Sequence, residues 1–228
     1  MNRKLIFKIS VDFIMILLLL ALMGYPITDE KIHEWLGISM LLMFIIHNIL
    51  NIQWYKNLFK GKYTVFRICQ TMLNVIMTLV LIALMSSGLM MSSYVFGGHV
   101  IEGMVALGRE MHLPTAYWGF VLMSLHFGLH WGMIMGMSRQ MIGIKTPSKI
   151  RGAILRILAL GIAIFGIRNF IKHDLLSYML LKTEFAFFDY EQTGISFFIE
   201  YLSMMGTCIF VAYYGILKIS RKIDSIKK

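Results

Sequence analysis

The chain has 228 residues, of which 58% are hydrophobic and 15% are charged. Its mean hydropathy of +0.72 is far above that of an ordinary soluble domain. This composition excludes a soluble globular protein and indicates an integral membrane protein.

Long apolar runs recur along the chain, and most reach the ~20 residues that a helix needs to cross a bilayer. Lipid admits only helices and closed barrels as spanning structures, and no segment alternates with the period of barrel strands. We therefore predict an all-α polytopic transmembrane bundle of about six spans, the fifth being the shortest. The apolar runs lie at about residues 11–25, 35–55, 68–91, 115–137, 153–167 and 195–217.

The net charge of +10 follows the predicted topology. Most of the 22 Lys and Arg residues stand at the N-terminus, in the second and fourth connections and at the C-terminus. The positive-inside rule places these segments, and with them both termini, in the cytoplasm. The first apolar run lacks a convincing small-x-small cleavage motif, so we expect a first helix rather than a signal peptide. Basicity of this kind predicts no nucleic-acid partner.

Two pairs of histidines share one spacing. His33 and His47 are 14 residues apart, and so are His112 and His126. At ~100° per residue, 14 steps return to within ~40° of the starting direction with a rise of ~21 Å. Each pair therefore shares one helix face. Because the second and fourth spans run in the same direction, His33 is expected at the depth of His112, and His47 at the depth of His126.

Two imidazoles that face each other across a gap are typical axial ligands of a haem. The spacing therefore predicts two non-covalent b-type haems, an outer one on His33 and His112 and an inner one on His47 and His126. The alternative is that the histidines hydrogen-bond neighbouring helices, as in a proton relay. No CxxCH motif is present, so covalent attachment of haem is not expected.

Further candidate cofactor-binding residues accompany the histidines. Arg109 precedes His112 by three residues, where it suits a haem propionate at the outer surface, and His99 is a weaker candidate there. His130 follows His126 by one turn, as an alternative ligand, part of a quinone site or a hydrogen-bonding group. Four glycines are candidates for close approach of a haem edge, with helix packing as the alternative: Gly37 and Gly119 on the histidine faces, and Gly24 and Gly88 near the outer ends of the first and third spans.

The chain is predicted to divide into a four-helix di-haem core, residues 1–137, and an appended part, residues 138–228. The appended part contributes two more spans and an outer segment. Apolar residues at positions 171, 175, 176, 179 and 180 suit an amphipathic helix on the membrane surface or, alternatively, a loop packed on the bundle.

The helix order and ligand spacing resemble the core of respiratory cytochrome b over about residues 10–137. Two stretches, "HEWLGISMLLMFIIHNILN" and "REMHLPTAYWGFVLMSLHFGLHW", are similar to the signature segments of flavinylation-associated cytochromes, a family of small bacterial membrane proteins. The tail "LKTEFAFFDYEQTGISFFIEYLSMMGTCIFVAYYG" resembles the C-terminal part of that family. The resemblance implies haem b, electron transfer to extracytoplasmic proteins that carry covalent FMN, and a ligand role for His33, His47, His112 and His126.

Together these observations predict a lipid-embedded di-haem cytochrome of the bacterial cytoplasmic membrane. Its expected donor is menaquinol or a cytoplasmic reductant, with menaquinone as a further candidate cofactor. Its expected acceptor is an extracytoplasmic redox protein, in the first place a flavinylated one. Two rivals remain: a haem-free transporter or membrane anchor with a histidine proton relay, and the membrane subunit of a quinol dehydrogenase or metal reductase.

Overall fold

The computed structural model describes residues 3–95, 102–144, 146–183, 185–187 and 191–226. Within these ranges the regular structure is helical, without strands. The candidate His99 lies outside the described residues.

Six helices of the described chain are long and apolar enough to cross a membrane. This confirms the predicted all-α polytopic bundle. The last span continues from its α-helix through a π-helical segment, Val211–Leu217, into a polar final helix. In chain order the helices are α1 (Arg3–Met23), α2 (Glu30–Leu50), α3 (Ile52–Lys56), α4 (Val65–Met91), α5 (Glu102–Met141), α6 (Lys149–Lys172), α7 (Leu175–Met179), α8 (Gly194–Phe210) and α9 (Lys218–Ile226).

The helices extend beyond the apolar runs because their polar flanks remain hydrogen-bonded. Asp29 accepts the backbone N–H of Ile32 at 2.6 Å and so caps the start of α2. Ser148 accepts the N–H of Arg151 at 3.3 Å and begins α6. The fifth span therefore has 24 residues, enough to cross a bilayer, although its apolar run is the shortest.

The outer segment after α6 contains one short helix, α7, within the described residues. Leu175 and Met179 are buried, while Leu176 and Leu180 are about half exposed. A helix of five residues offers no extended apolar face to a membrane surface. The choice between a surface amphipathic helix and a loop packed on the bundle stays a prediction.

The residues group into two compact units that are interleaved along the chain. One unit comprises Met1–Lys62, Leu79–Ala116 and Tyr178–Phe198, and the other comprises Tyr63–Thr78, Tyr117–Ser177 and Ile199–Lys228. We refer to them as the first and the second unit. The predicted division after residue 137 concerns cofactor binding and stays a prediction.

Small residues bring helix backbones close together in the second unit. A Cβ added to Gly166 of α6 would lie 2.1 Å from the carbonyl oxygen of Ser203 in α8. A Cβ on Gly128 of α5 would lie 2.7 Å from the Cβ of Ala212 and 2.8 Å from the Cα of Ile209. Such contacts are typical of membrane helices, where close backbone approach replaces the hydrophobic driving force.

Candidate functional site

The first unit brings the rings of His33 and His112 close together in an edge-on arrangement. The two imidazole centroids are 6.1 Å apart, and the ring planes are inclined at 71°. His33 lies in the first turn of α2 and His112 in α5, so the predicted juxtaposition of these two residues is present. The Tyr25 ring packs edge-on against His33, with centroids 5.1 Å apart.

This separation fits one metal atom between the two rings. An imidazole nitrogen lies about 2 Å from a metal that it binds, and the ring centre lies about 1.1 Å further away. Two imidazoles on opposite sides of one metal therefore have centroids about 6.2 Å apart. The observed 6.1 Å between the ring centroids agrees with that value.

The tautomer of His112 follows from its neighbour Ser87. The hydroxyl of Ser87 donates its single proton to the carbonyl of Leu84 at 2.8 Å. It must therefore accept the proton in its 3.1 Å hydrogen bond with Nδ1 of His112. Nδ1 then carries the hydrogen, and Nε2 keeps the lone pair that a metal requires.

His33 differs from its partner in this respect. Its Nδ1 is buried and has no hydrogen-bond partner within the described part of the chain. A buried polar atom without a partner costs about 1–3 kcal/mol, so its presence in a fold requires an explanation. One turn further on, a Cβ at Gly37 would meet no described atom within 4 Å. The open position at Gly37 leaves room for a planar group one turn from His33 on the same helix.

The other outer candidates have different surroundings. A Cβ on Gly88 would lie 3.5 Å from Cε1 of His112, so this glycine does border the imidazole pair. Gly24 instead faces the rings of Phe197 and Phe198, at 3.7 and 3.5 Å from its added Cβ, which favours helix packing. Arg109 is exposed on α5, and its pairing with a propionate stays a prediction.

The inner histidine of α2, His47, has a carboxylate partner that sequence reasoning missed. Its Nδ1 lies 2.7 Å from Oδ1 of Asp12 in α1. The signal was present in the sequence, since Asp12 interrupts the first apolar run, and ionisable groups within a span mark functional sites. Asn51 donates to the carbonyl of His47 at 2.9 Å and approaches its Nε2 at 3.4 Å. Lys8 donates to Oδ1 of Asn51 at 3.2 Å.

Asp12 defines the tautomer of His47. An ionised carboxylate only accepts hydrogen bonds, so the proton between the two groups resides on Nδ1 of His47. The approach of the Asn51 amide to Nε2 agrees with a lone pair on that nitrogen. Metal-binding histidines are commonly oriented in this way, by a second group that accepts the other N–H.

His126 repeats the arrangement in the second unit. Its Nδ1 is 2.9 Å from Oδ1 of Asn74 in α4, a partner that sequence reasoning also missed. The His130 ring lies edge-on to His126, with centroids 4.9 Å apart. Gly119, the candidate on the same helix, is buried. His47 belongs to the first unit and His126 to the second, and their predicted pairing stays a prediction.

The donor set at this site consists of two imidazoles, those of His33 and His112. The described residues contain no group of three or more His, Cys, Asp and Glu side chains that could hold a metal ion. A structural or catalytic zinc site takes three or four protein ligands. A haem brings its own equatorial nitrogens and requires only axial ligands from the protein, and the imidazoles of His33 and His112 are candidates for that role.

A separate polar cluster, which the sequence analysis did not identify, ties α6 to α8 in the second unit. The carboxylate of Glu200 lies 2.7 Å from Nζ of Lys172 and 2.5 Å from Nε2 of His173. Glu200 is 8% exposed, and a buried charge of this kind requires such partners. We infer that the cluster has a structural role, in which it holds the end of α6 against α8.

No protein-family model, curated protein or solved structure matches the chain.

Proposed function

We propose that the chain is a di-haem b-type cytochrome that carries electrons across a bacterial cytoplasmic membrane. The observation that carries the proposal is the 6.1 Å separation of the His33 and His112 rings, which accommodates one iron atom between them. The Nδ1–H tautomers of His112 and His47 support it, because each tautomer leaves Nε2 to act as a ligand.

The residues of the chain have distinct tasks in this proposal. His33 and His112 are the axial ligands of the outer haem, and Ser87 orients His112. The spacing in the sequence assigns the inner haem to His47 and His126. When bound, haem iron supplies the one-electron redox chemistry, while the chain supplies ligands, orientation and burial.

The donor and acceptor come from the topology and the resemblance. Electrons would enter on the cytoplasmic side, from menaquinol or a soluble reductant, and leave on the outer side. The resemblance to flavinylation-associated cytochromes favours an extracytoplasmic protein with covalent FMN as the acceptor. The six apolar helices provide the membrane-spanning scaffold that such a path requires.

The test is the haem content of detergent-purified protein, measured with reduced-minus-oxidised spectra. We expect about two low-spin b haems per chain in the wild type and about one in His112→Ala, since each haem needs both axial ligands. The control Met111→Ala truncates the neighbouring side chain of α5 and should keep two haems.

A haem-free preparation, after expression with ample haem, would contradict the proposal and support the transporter or anchor. Full haem content in His112→Ala would show that the imidazole pair is not the ligand set. Turnover by the isolated chain with soluble ferric chelates would favour a metal-reductase subunit.

A further inference from the structure

The hydrogen-bond partners of the histidines differ between the two ends of the proposed electron path. At the inner end, Nδ1 of His47 meets the carboxylate of Asp12 at 2.7 Å, and Nδ1 of His126 meets an amide oxygen. At the outer end, Nδ1 of His112 meets the hydroxyl of Ser87 at 3.1 Å. Nδ1 of His33 has no partner in the described part of the chain. The inner acceptors are the stronger ones.

The acceptor on Nδ1 controls how much electron density the imidazole passes to iron. A carboxylate draws the Nδ1 proton and gives the ring imidazolate character, which makes Nε2 a more basic ligand. A more basic axial ligand stabilises ferric iron more than ferrous iron and so lowers the reduction potential. A hydroxyl acceptor lowers the reduction potential only weakly, and an imidazole whose Nδ1 has no acceptor does not lower it in this way.

The charge of Asp12 acts in the same direction as its hydrogen bond. A bis-imidazole ferric haem carries one more positive charge than its ferrous form, so a nearby carboxylate favours the ferric state. Lys8, one turn before Asp12 on α1, opposes this effect. Its ammonium group is bonded to Asn51, whereas Asp12 is bonded to the ligand itself, and the carboxylate therefore dominates.

Glu34 is the neighbouring acid to weigh at the outer end, since it follows His33 directly. Its carboxylate accepts the hydroxyl of Ser92 at 2.7 Å and backbone N–H groups at 2.8 to 3.1 Å. These donors satisfy the charge of Glu34 and direct it to the loop after α4. Glu34 accepts no hydrogen bond from an imidazole among the described contacts. Its charge acts on His33 through space and favours ferric iron there, but it lacks the direct hydrogen bond to the ligand that Asp12 makes to His47.

We infer that the inner site has the lower reduction potential and the outer site the higher one, so that electrons run outward with a favourable free energy. This inference rests on the proposed function. Each transfer oxidises the inner site by one electron and reduces the outer site by one electron, and no proton needs to move. The reductant is a quinol or a cytoplasmic donor, and the oxidant is the extracytoplasmic acceptor.

The first test compares the two sites separately by potentiometric titration in detergent. His33→Ala should retain the inner haem alone, and His47→Ala should retain the outer haem alone. We expect a lower midpoint potential in His33→Ala than in His47→Ala. Equal potentials, or the reverse order, would overturn the inference.

The second test uses the full chain and the variant Asp12→Asn, which replaces the charged acceptor by a neutral one of the same shape. We expect the lower of the two midpoint potentials to become more positive while the higher one stays in place. The control Glu30→Gln removes an exposed acid of α2 and should leave both potentials unchanged. The inference fails if Asp12→Asn moves neither potential or moves the higher one.

These outcomes separate the inference from the proposed function. A wild-type chain without haem refutes the cytochrome, whatever the variants do. If the wild-type chain binds two haems but their potentials have the reverse order, the proposed cytochrome function stands and the inference of a favourable outward electron transfer is refuted. If Asp12→Asn binds haem poorly, the comparison of the two single-haem variants still decides the order of potentials.

Discussion

Ser87 offers a sharp test of the outer site, because its hydroxyl links α4 to a single ring nitrogen of His112. Ser87 is fully buried, at 0% exposure, and its hydroxyl contacts Leu84 and His112. Ser87→Ala removes the hydroxyl acceptor of His112 and leaves the imidazole with the backbone carbonyl of Leu84 alone. Removing one such partner costs about 1–3 kcal/mol.

That free energy has a direct consequence for haem binding. Loss of a group that orients a metal-binding histidine costs about 10–100-fold in affinity, which corresponds to about 1.4–2.7 kcal/mol at 25 °C. The two magnitudes agree, so we expect the outer haem to bind about 10–100-fold more weakly in Ser87→Ala. The inner haem should bind as in the wild type, since Ser87 does not contact its ligands.

The assay is a haem titration of apoprotein in detergent, followed by the Soret absorbance. The matched control is Ser124→Ala, another buried serine, at 1% exposure. Its hydroxyl donates to the carbonyl of Phe120 at 2.6 Å and accepts nothing from a histidine in the described contacts. An equal loss of haem affinity in Ser87→Ala and Ser124→Ala would refute the reasoning. It would show that replacing any buried serine weakens haem binding, with no special role for the Ser87–His112 hydrogen bond.

Two further predictions concern glycines. Gly37→Phe should fold, because its Cβ meets no described atom within 4 Å, but should lose the outer haem, a loss seen as a haem-to-protein ratio of about one. A ratio of two would place the macrocycle elsewhere. Gly166→Ala should lower the free energy of unfolding by about 3 kcal/mol, the upper end of the usual cost of overpacking, because its added Cβ would lie 2.1 Å from the carbonyl oxygen of Ser203. The matched variant Gly161→Ala lies on the same helix, meets no described atom and should be neutral or stabilising. Similar melting temperatures for these two variants would contradict the helix contact.

Hydropathy predicted the number and order of the spans, but the helix ends differ from the apolar runs. The fourth run covers about residues 115–137, whereas α5 covers Glu102–Met141 and includes His112. Hydropathy marks the part of a helix that contacts lipid. Backbone hydrogen bonds continue a helix into its polar flanks, and N-caps such as Asp29 of α2 and Ser148 of α6 set where a helix begins.

The histidine spacing put each 14-residue pair on one helix face, and the shared direction of the second and fourth spans then predicted that His33 and His112 lie at the same depth. It did not reveal Asp12, Ser87 or Asn74 as partners. These residues lie on other helices, so no local period in the sequence connects them to the histidines.

The sequence by itself therefore determined the class of fold, the spans and the ligand candidates. There is a physical reason for this. In lipid each helix must satisfy its backbone hydrogen bonds internally, so hydropathy and helical period act locally along the chain. The tertiary structure alone decided which acceptor each imidazole meets. Asp12 and His47 are 35 positions apart, and Ser87 and His112 are 25 apart. Contacts over such intervals follow from how helices pack side by side, through small residues and interhelical hydrogen bonds, and that packing sets the asymmetry between the two ends of the proposed electron path.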